Sequence, residues 1–191
     1  MAMIDVPGRR IHGKIVYYGP GFGGKTTNLR HVHGRLPPGA RRELREVADE
    51  SGRTVFCDVL PLDLGSVGGV ALRYDLYTVA GQARYEGARA AVLHGADGVV
   101  FVADARRERL PENLRSLEEL VANVAGQGKL IADFPLVLQY NKTDLPDALP
   151  VAELDRRLPA VGATRFPAAA RDGVGVVETL REICRLVTRG L

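Results

Sequence analysis

Gly19-Pro20-Gly21-Phe22-Gly23-Gly24-Lys25-Thr26 fits G-x-x-x-x-G-K-[ST], the pattern of a glycine-rich loop that wraps a polyphosphate. Its surroundings agree. Lys14-Ile15-Val16-Tyr17-Tyr18 before it reads as a buried strand, and Asn28, Leu29 and Arg30 after it continue into a helix. Strand, loop and helix are the context this chemistry needs. Backbone N–H groups close around phosphate oxygens, a Cβ would obstruct the approach, and the helix adds the positive end of its dipole. Lys25 is expected to reach the β- and γ-phosphates and the Thr26 hydroxyl to hold Mg²⁺. Gly19, Gly21, Phe22, Gly23, Gly24 and Thr27 complete the expected cradle.

A phosphate loop does not select a base. Asn141-Lys142-Thr143-Asp144 does more, because it follows directly on the apolar strand Pro135-Leu136-Val137-Leu138-Gln139-Tyr140. Guanine presents two adjacent donors, N1–H and its exocyclic amine, and one carboxylate, Asp144, accepts both. Adenine would oppose its N1 acceptor to that carboxylate, and a site built for a hydrogen bond rejects the wrong partner strongly. Lys142 is expected to cover the base with its stem and Asn141 to tie this loop to the phosphate loop. Near the end, Ala168-Ala169-Ala170-Arg171 precedes the last helix, and backbone N–H groups at Ala169, Ala170 and Arg171 are candidates to hold the guanine O6.

Between these loops, strands and helices alternate. A strand over 14–19 leads to a helix over 25–34, stopped by Leu36-Pro37-Pro38-Gly39. Residues 40–52 are charged and read as a solvated connection. Thr54 to Leu60 reads as a strand that Pro61 confines to a sheet edge, joined through Gly65-Ser66-Val67-Gly68-Gly69 to an alternating strand from Val70 to Thr78. Gly98 to Ala103 is an unbroken apolar run, as a strand buried on both faces should be. Leu110, Leu114, Leu117, Val121 and Val124 recur at helical spacing, and the last helix is expected to bury Val177, Leu180, Cys184 and Val187. The expectation is an α/β fold of the P-loop NTPase kind. Its sheet has about six mostly parallel strands, one antiparallel edge strand, and helices on both faces. Residues 1–191 form one domain, with 1–12 a loose lead-in.

The bulk numbers fit a soluble globule: 46% apolar and 26% charged residues. The net charge of +3 comes from 22 Arg and 4 Lys against 23 acids, spread along the chain. Without a basic stripe there is no expectation of nucleic-acid binding. Cys57 and Cys184 have no metal or redox spacing and read as small apolar residues. No signal peptide or membrane span appears, and Ala2 stands where myristoylation needs glycine. The reading is a cytoplasmic chain with no membrane anchor of its own, a monomer by itself.

With these motifs, and a Gly-Gln pair at 81–82, the chain resembles the Ras-like small GTPases and, within them, the bacterial MglA type concerned with polarity and gliding motility. The resemblance covers about 12–188. It is carried by Tyr17 to Gly21, Lys25 to Leu29, Leu60-Pro61-Leu62-Asp63-Leu64-Gly65, Gly98 to Asp104 and Gln139 to Lys142. It implies a GTP/GDP and Mg²⁺ cofactor set and assigns roles. Thr54 is the switch threonine that ligands Mg²⁺. Gly81 gives its amide to the γ-phosphate, and Gln82 orients the attacking water. Arg53 is a catalytic arginine supplied in cis. The usual D-x-x-G acid is absent, since the stretch reads Thr78-Val79-Ala80-Gly81. Asp58, four residues after Thr54 on the same strand face, is the candidate replacement, acting on the metal through water.

The resemblance implies a slow GTP-hydrolysing switch that controls polarity or motility. It implies a partner too: a small homodimeric roadblock-fold activator of the MglB kind, docking at the switch and the edge strand. Through partners the chain would reach the cell poles. The missing acid keeps a second reading open, a guanine-nucleotide-binding recruitment module with negligible hydrolysis. A third, an ATPase, conflicts with Asp144.

Overall fold

A computed structural model of the chain describes residues 3–5, 9–37, 45–48, 54–79, 86–159 and 162–190. Among these residues eight strands, β1 (Met3–Asp5), β2 (Arg10–Tyr18), β3 (Arg45–Ala48), β4 (Thr54–Val67), β5 (Val70–Thr78), β6 (Gly98–Asp104), β7 (Leu136–Asn141) and β8 (Thr164–Ala168), form one sheet. Their order is β3-β4-β5-β2-β6-β7-β8, with β1 paired to the start of β2. The helices are α1 (Lys25–Arg35), α2 (Glu86–Leu93), α3 (Leu110–Ala125), α4 (Val151–Arg157) and α5 (Val176–Arg189).

The centre of the sheet is parallel: β5, β2, β6, β7 and β8 run in one direction. All seven residues of β6 and all six of β7 are buried, which is why β6 is apolar up to Asp104 and the polar Gln139 and Asn141 of β7 are hydrogen-bonded within the protein. Alternation divides them between two cores. Val16 and Tyr18 of β2 join Val99, Phe101 and Ala103 of β6 beneath Leu117, Leu120 and Val124 of α3. Ile15, Tyr17, Val100 and Val102 face the other way, against Leu29 and Val32 of α1 and Ile183 and Val187 of α5.

The expected six strands are present, and the antiparallel margin is larger than expected. Gly68 and Gly69, at φ +60° and +79°, make a two-residue turn between β4 and β5. The turn is therefore shorter than the 65–69 segment expected, and β4 continues through a register shift between Asp63 and Ser66. β3 pairs with β4 only between Thr54 and Val59, so Pro61 lies where the described residues leave that edge of β4 open. β1 and β3 fall in stretches expected to be a loose lead-in and a solvated connection. They exist because neighbouring strands offer unpaired edges, not through any strong local preference. In α3, Leu120 takes the inward position and Val121 is 39% exposed. In α5, Val176 and Ile183 are buried and Val177 only partly so. Cys184 is buried in that core, and burial pushes its thiol up to about 12, as suits a packing residue. Among the described residues no helix is long and apolar enough to cross a membrane.

Candidate functional site

The carboxyl ends of β2, β6, β7 and β8 share one rim. Asp104, Asn141 and Ala168 are neighbours in register across it, and Gly19 follows directly on β2. The loop from Gly19 to Gly24 leaves that rim and delivers the chain into α1. Its backbone leaves no room for side chains at two positions. A Cβ on Gly19 would stand 2.3 Å from Val102 O, and one on Gly24 would stand 2.1 Å from Asn141 Nδ2. Both glycines have positive φ, +133° and +104°.

Lys25 lies inside this loop. Its Nζ donates to Gly19 O at 2.9 Å and to Pro20 O at 2.7 Å. The side chain is buried, and that burial, with the nearby Arg89 charge, pushes its pKa down to about 7. A buried Lys25 amine whose contacts in the loop are neutral carbonyls, and whose charge burial disfavours, fits a group built to meet an anion. Thr26 and Thr27 follow in the first turn of α1.

The base-side loops are tied to this cradle by one side chain. Asn141 Nδ2 donates to Gly23 O at 2.8 Å, and its Oδ1 accepts from Ala170 N–H at 2.8 Å. Ala169 N–H donates to Val174 O at 3.1 Å, so two of the three amides expected for O6 are engaged within the protein. The Arg171 N–H has no partner among the described residues. Lys142 adopts φ +69° and its ammonium pairs with buried Asp104. Burial raises the Asp104 carboxyl, but bonds from Arg106 and Lys142 outweigh it and hold it below the usual carboxylate range. Asp144 is exposed, and its carboxylate has no hydrogen-bond partner among the described residues. Beneath the loops, Asn28 and Gln139 exchange amide hydrogen bonds of 2.8 and 2.9 Å, and Gln139 donates to Thr179 at 3.0 Å.

No family model matches the chain. Mutual gliding-motility protein MglA of Myxococcus xanthus (strain DK1622) is 44% identical over 187 residues, which cover 98% of this chain and 96% of that protein. The chain belongs to the MglA family of Ras-like small GTPases. Human ADP-ribosylation factor-like protein 4C is 27% identical over 137 residues, 68% of each chain. Human ADP-ribosylation factor-like protein 4D is 29% identical over 133 residues, 64% of this chain and 62% of that one. The P-loop GTPase fold and a guanine nucleotide as ligand follow from that membership.

MglA-type membership gives meaning to the residues around Thr78. The Thr26 hydroxyl donates to Asp58 Oδ2 at 2.7 Å, and the Thr78 hydroxyl donates to the same oxygen at 3.2 Å. Asp58 N–H in turn donates to Thr78 Oγ1 at 2.9 Å. With its proton directed at Asp58, the Thr26 oxygen keeps lone pairs for a cation. Among the described residues no three His, Cys, Asp or Glu side chains cluster as a metal site. A metal held through one hydroxyl, a carboxylate via water, and nucleotide phosphates is the arrangement that suits Mg²⁺. Thr54 opens β4. Arg53, Gly81 and Gln82 lie outside the described residues.

Sequence reasoning gave no role to Asp104, Arg109 or the Asn28–Gln139–Thr179 network. Asp104 had a signal, an acid closing a wholly apolar strand on the ligand rim. Arg109 had none, because its partner lies 88 residues away.

Proposed function

We propose that the chain is a GTP-binding, slowly GTP-hydrolysing switch that controls cell polarity or motility through nucleotide-dependent partner binding. The observation that carries this reading is the convergence on Asn141. One amide joins the phosphate loop to the loop after β8, while the Asp144 carboxylate beside it stays free for a base. Gly19 to Gly24 and Lys25 cradle the phosphates. Lys142 covers the base, and Asp144 accepts from its N1–H and amine. Of the loop after β8, the Arg171 amide is the donor left for O6.

Thr26, Thr54 and, through water, Asp58 would hold Mg²⁺, which when bound neutralises charge on the phosphates. Gln82 orients the attacking water. Arg53 offsets charge developing on the transferred phosphoryl group, an effect of about 10³–10⁵ in rate where an arginine acts so. Intrinsic turnover is slow, and an activating partner raises it. That partner is a homodimeric roadblock-fold activator of the MglB kind, and it docks on the switch and on the open edge of β4 beyond Val59. The relative named for mutual gliding motility supports a motility or polarity process, carried out in the cytoplasm by a single-domain monomer.

Phosphate release, measured with and without activator, tests the reading. Gln82→Ala and Arg53→Ala are each expected to lower release at least tenfold while GDP binding persists. Parental rates in both variants would leave the recruitment-module reading, in which nucleotide binding serves docking alone.

A further inference from the structure

Phe22 sits at φ +62° and is 79% exposed. A bulky residue seldom occupies the left-handed region, and this one gains little packing in return. Such a conformation persists only where neighbours over-determine the backbone. Among the described residues several bonds hold this loop: Lys25 Nζ donates to Gly19 O and Pro20 O, Asn141 Nδ2 donates to Gly23 O, and two more bonds flank Phe22 directly. Gly23 N–H donates to Pro20 O at 3.3 Å, closing the turn from within. From outside, Arg109 Nη2 donates to Gly21 O at 3.0 Å.

Arg109 ends the short 3₁₀ turn Arg107–Arg109 that leads into α3, so a rigid element carries it. Its side chain is 23% exposed, with Nη1 3.6 Å from Glu112 Oε1. Its Nε is buried and has no hydrogen-bond partner among the described residues. A largely buried guanidinium left one donor short is an expensive way to fill space, unless the bond it does make matters. That bond falls on the phosphate loop. Gly21 O and Phe22 N–H belong to one peptide unit, and in a planar trans peptide they point in opposite directions. Drawing the carbonyl towards α3 turns the Phe22 N–H to the opposite side of that peptide, away from α3.

We propose that Arg109 is a positioning residue for GTP cleavage: by gripping the Gly21 carbonyl it fixes the Gly21–Phe22 peptide so that the Phe22 N–H stays aimed at the phosphates. The inference rests on the GTPase reading above. Affinity is shared among Lys25, several loop amides and the base contacts, so one misaimed amide costs little binding. Its orientation matters most where charge grows during cleavage.

Arg109→Met, Arg109→Gln and Arg109→Lys, in the full chain, separate this from a packing role. The readouts are GDP affinity by fluorescence titration and single-turnover GTP cleavage. Met and Gln are expected to slow cleavage about tenfold, less than loss of a direct donor would, with GDP affinity within about threefold of the parent. Lys keeps a charged donor and is expected to recover most of the rate. If Met does not fold, Gln carries the same expectation. Parental cleavage by the disrupted variant, or affinity falling in step with cleavage, would overturn the proposal. A parent that binds no GDP would defeat the GTPase reading instead.

Discussion

The side of the site proposed to read the base and the side proposed to face the metal are assembled in different ways. On the base side the loops are tied within the protein, with Asn141 spanning Gly23 and Ala170 and Lys142 held by buried Asp104, while the Asp144 carboxylate has no partner among the described residues. On the metal-facing side a single oxygen, Asp58 Oδ2, takes the hydroxyls of both Thr26 and Thr78. The first arrangement is preorganised before ligand arrives, so damage there should appear as lost affinity or altered base choice. The second leaves oxygen lone pairs unused, so damage there should appear in cation dependence.

The largest effect is expected at Asp144. Asp144→Asn exchanges one of two acceptors for a donor, which opposes guanine and suits xanthine, whose O2 is an acceptor. The ratio of GDP to XDP affinity should fall by about 10⁴. Competition between the two nucleotides measures it, and an unchanged ratio would remove Asp144 from the base contact. Next is Asn141→Ala, which strips partners from Gly23 O and Ala170 N–H together. At about 1–3 kcal/mol for each group left unpaired, nucleotide release should quicken at least tenfold and the melting temperature should drop. Both are followed in one fluorescence experiment.

On the metal-facing side the expected change is smaller and different in kind. Asp58→Asn should raise the Mg²⁺ concentration for half-maximal GTP cleavage about tenfold, leaving GDP affinity in chelator nearly unchanged. A fall in chelator affinity would erase the contrast between the two sides.

The smallest effect concerns Lys25, whose pKa burial and Arg89 push from 10.5 to about 7 in the ligand-free protein. Bound phosphate restores the ammonium, so binding takes up a proton between those two values and affinity falls as pH rises. Between pH 7 and 8 the loss should be about fivefold. The sign for stability is the reverse. In that window the unfolded chain holds the proton that the ligand-free native state has lost, so ligand-free stability rises with pH. Calorimetry in buffers of different ionisation enthalpy reads the uptake, and no uptake at pH 8 would contradict it.

Sequence legibility followed the physics of each part. β6 and β7 were plain because both faces are covered and every residue is apolar or inward. Short strands such as Arg45-Glu46-Val47-Ala48 were not, because the pairing edge of β4 creates them. The loops proposed to hold phosphate and base stand out as local patterns, Gly19 to Thr26 and Asn141 to Asp144. Asp58 was singled out by counting along one face of a strand from Thr54, whereas its contact with Thr26, 32 residues away, follows from the packing of α1 beside β4. Arg109 and the Asn28–Gln139–Thr179 network are built from residues distant in the chain, and no local rule reaches across such separations.

Competition for a labelled guanine nucleotide, run with GTP and with ATP in Mg²⁺ and again in chelator, tests the central proposition most directly. Three loops held together at Asn141 around one guanine nucleotide predict saturable, Mg²⁺-strengthened binding displaced by GTP at concentrations at least 10³-fold below those needed of ATP. Equal displacement by the two, or no saturable binding at all, would contradict it.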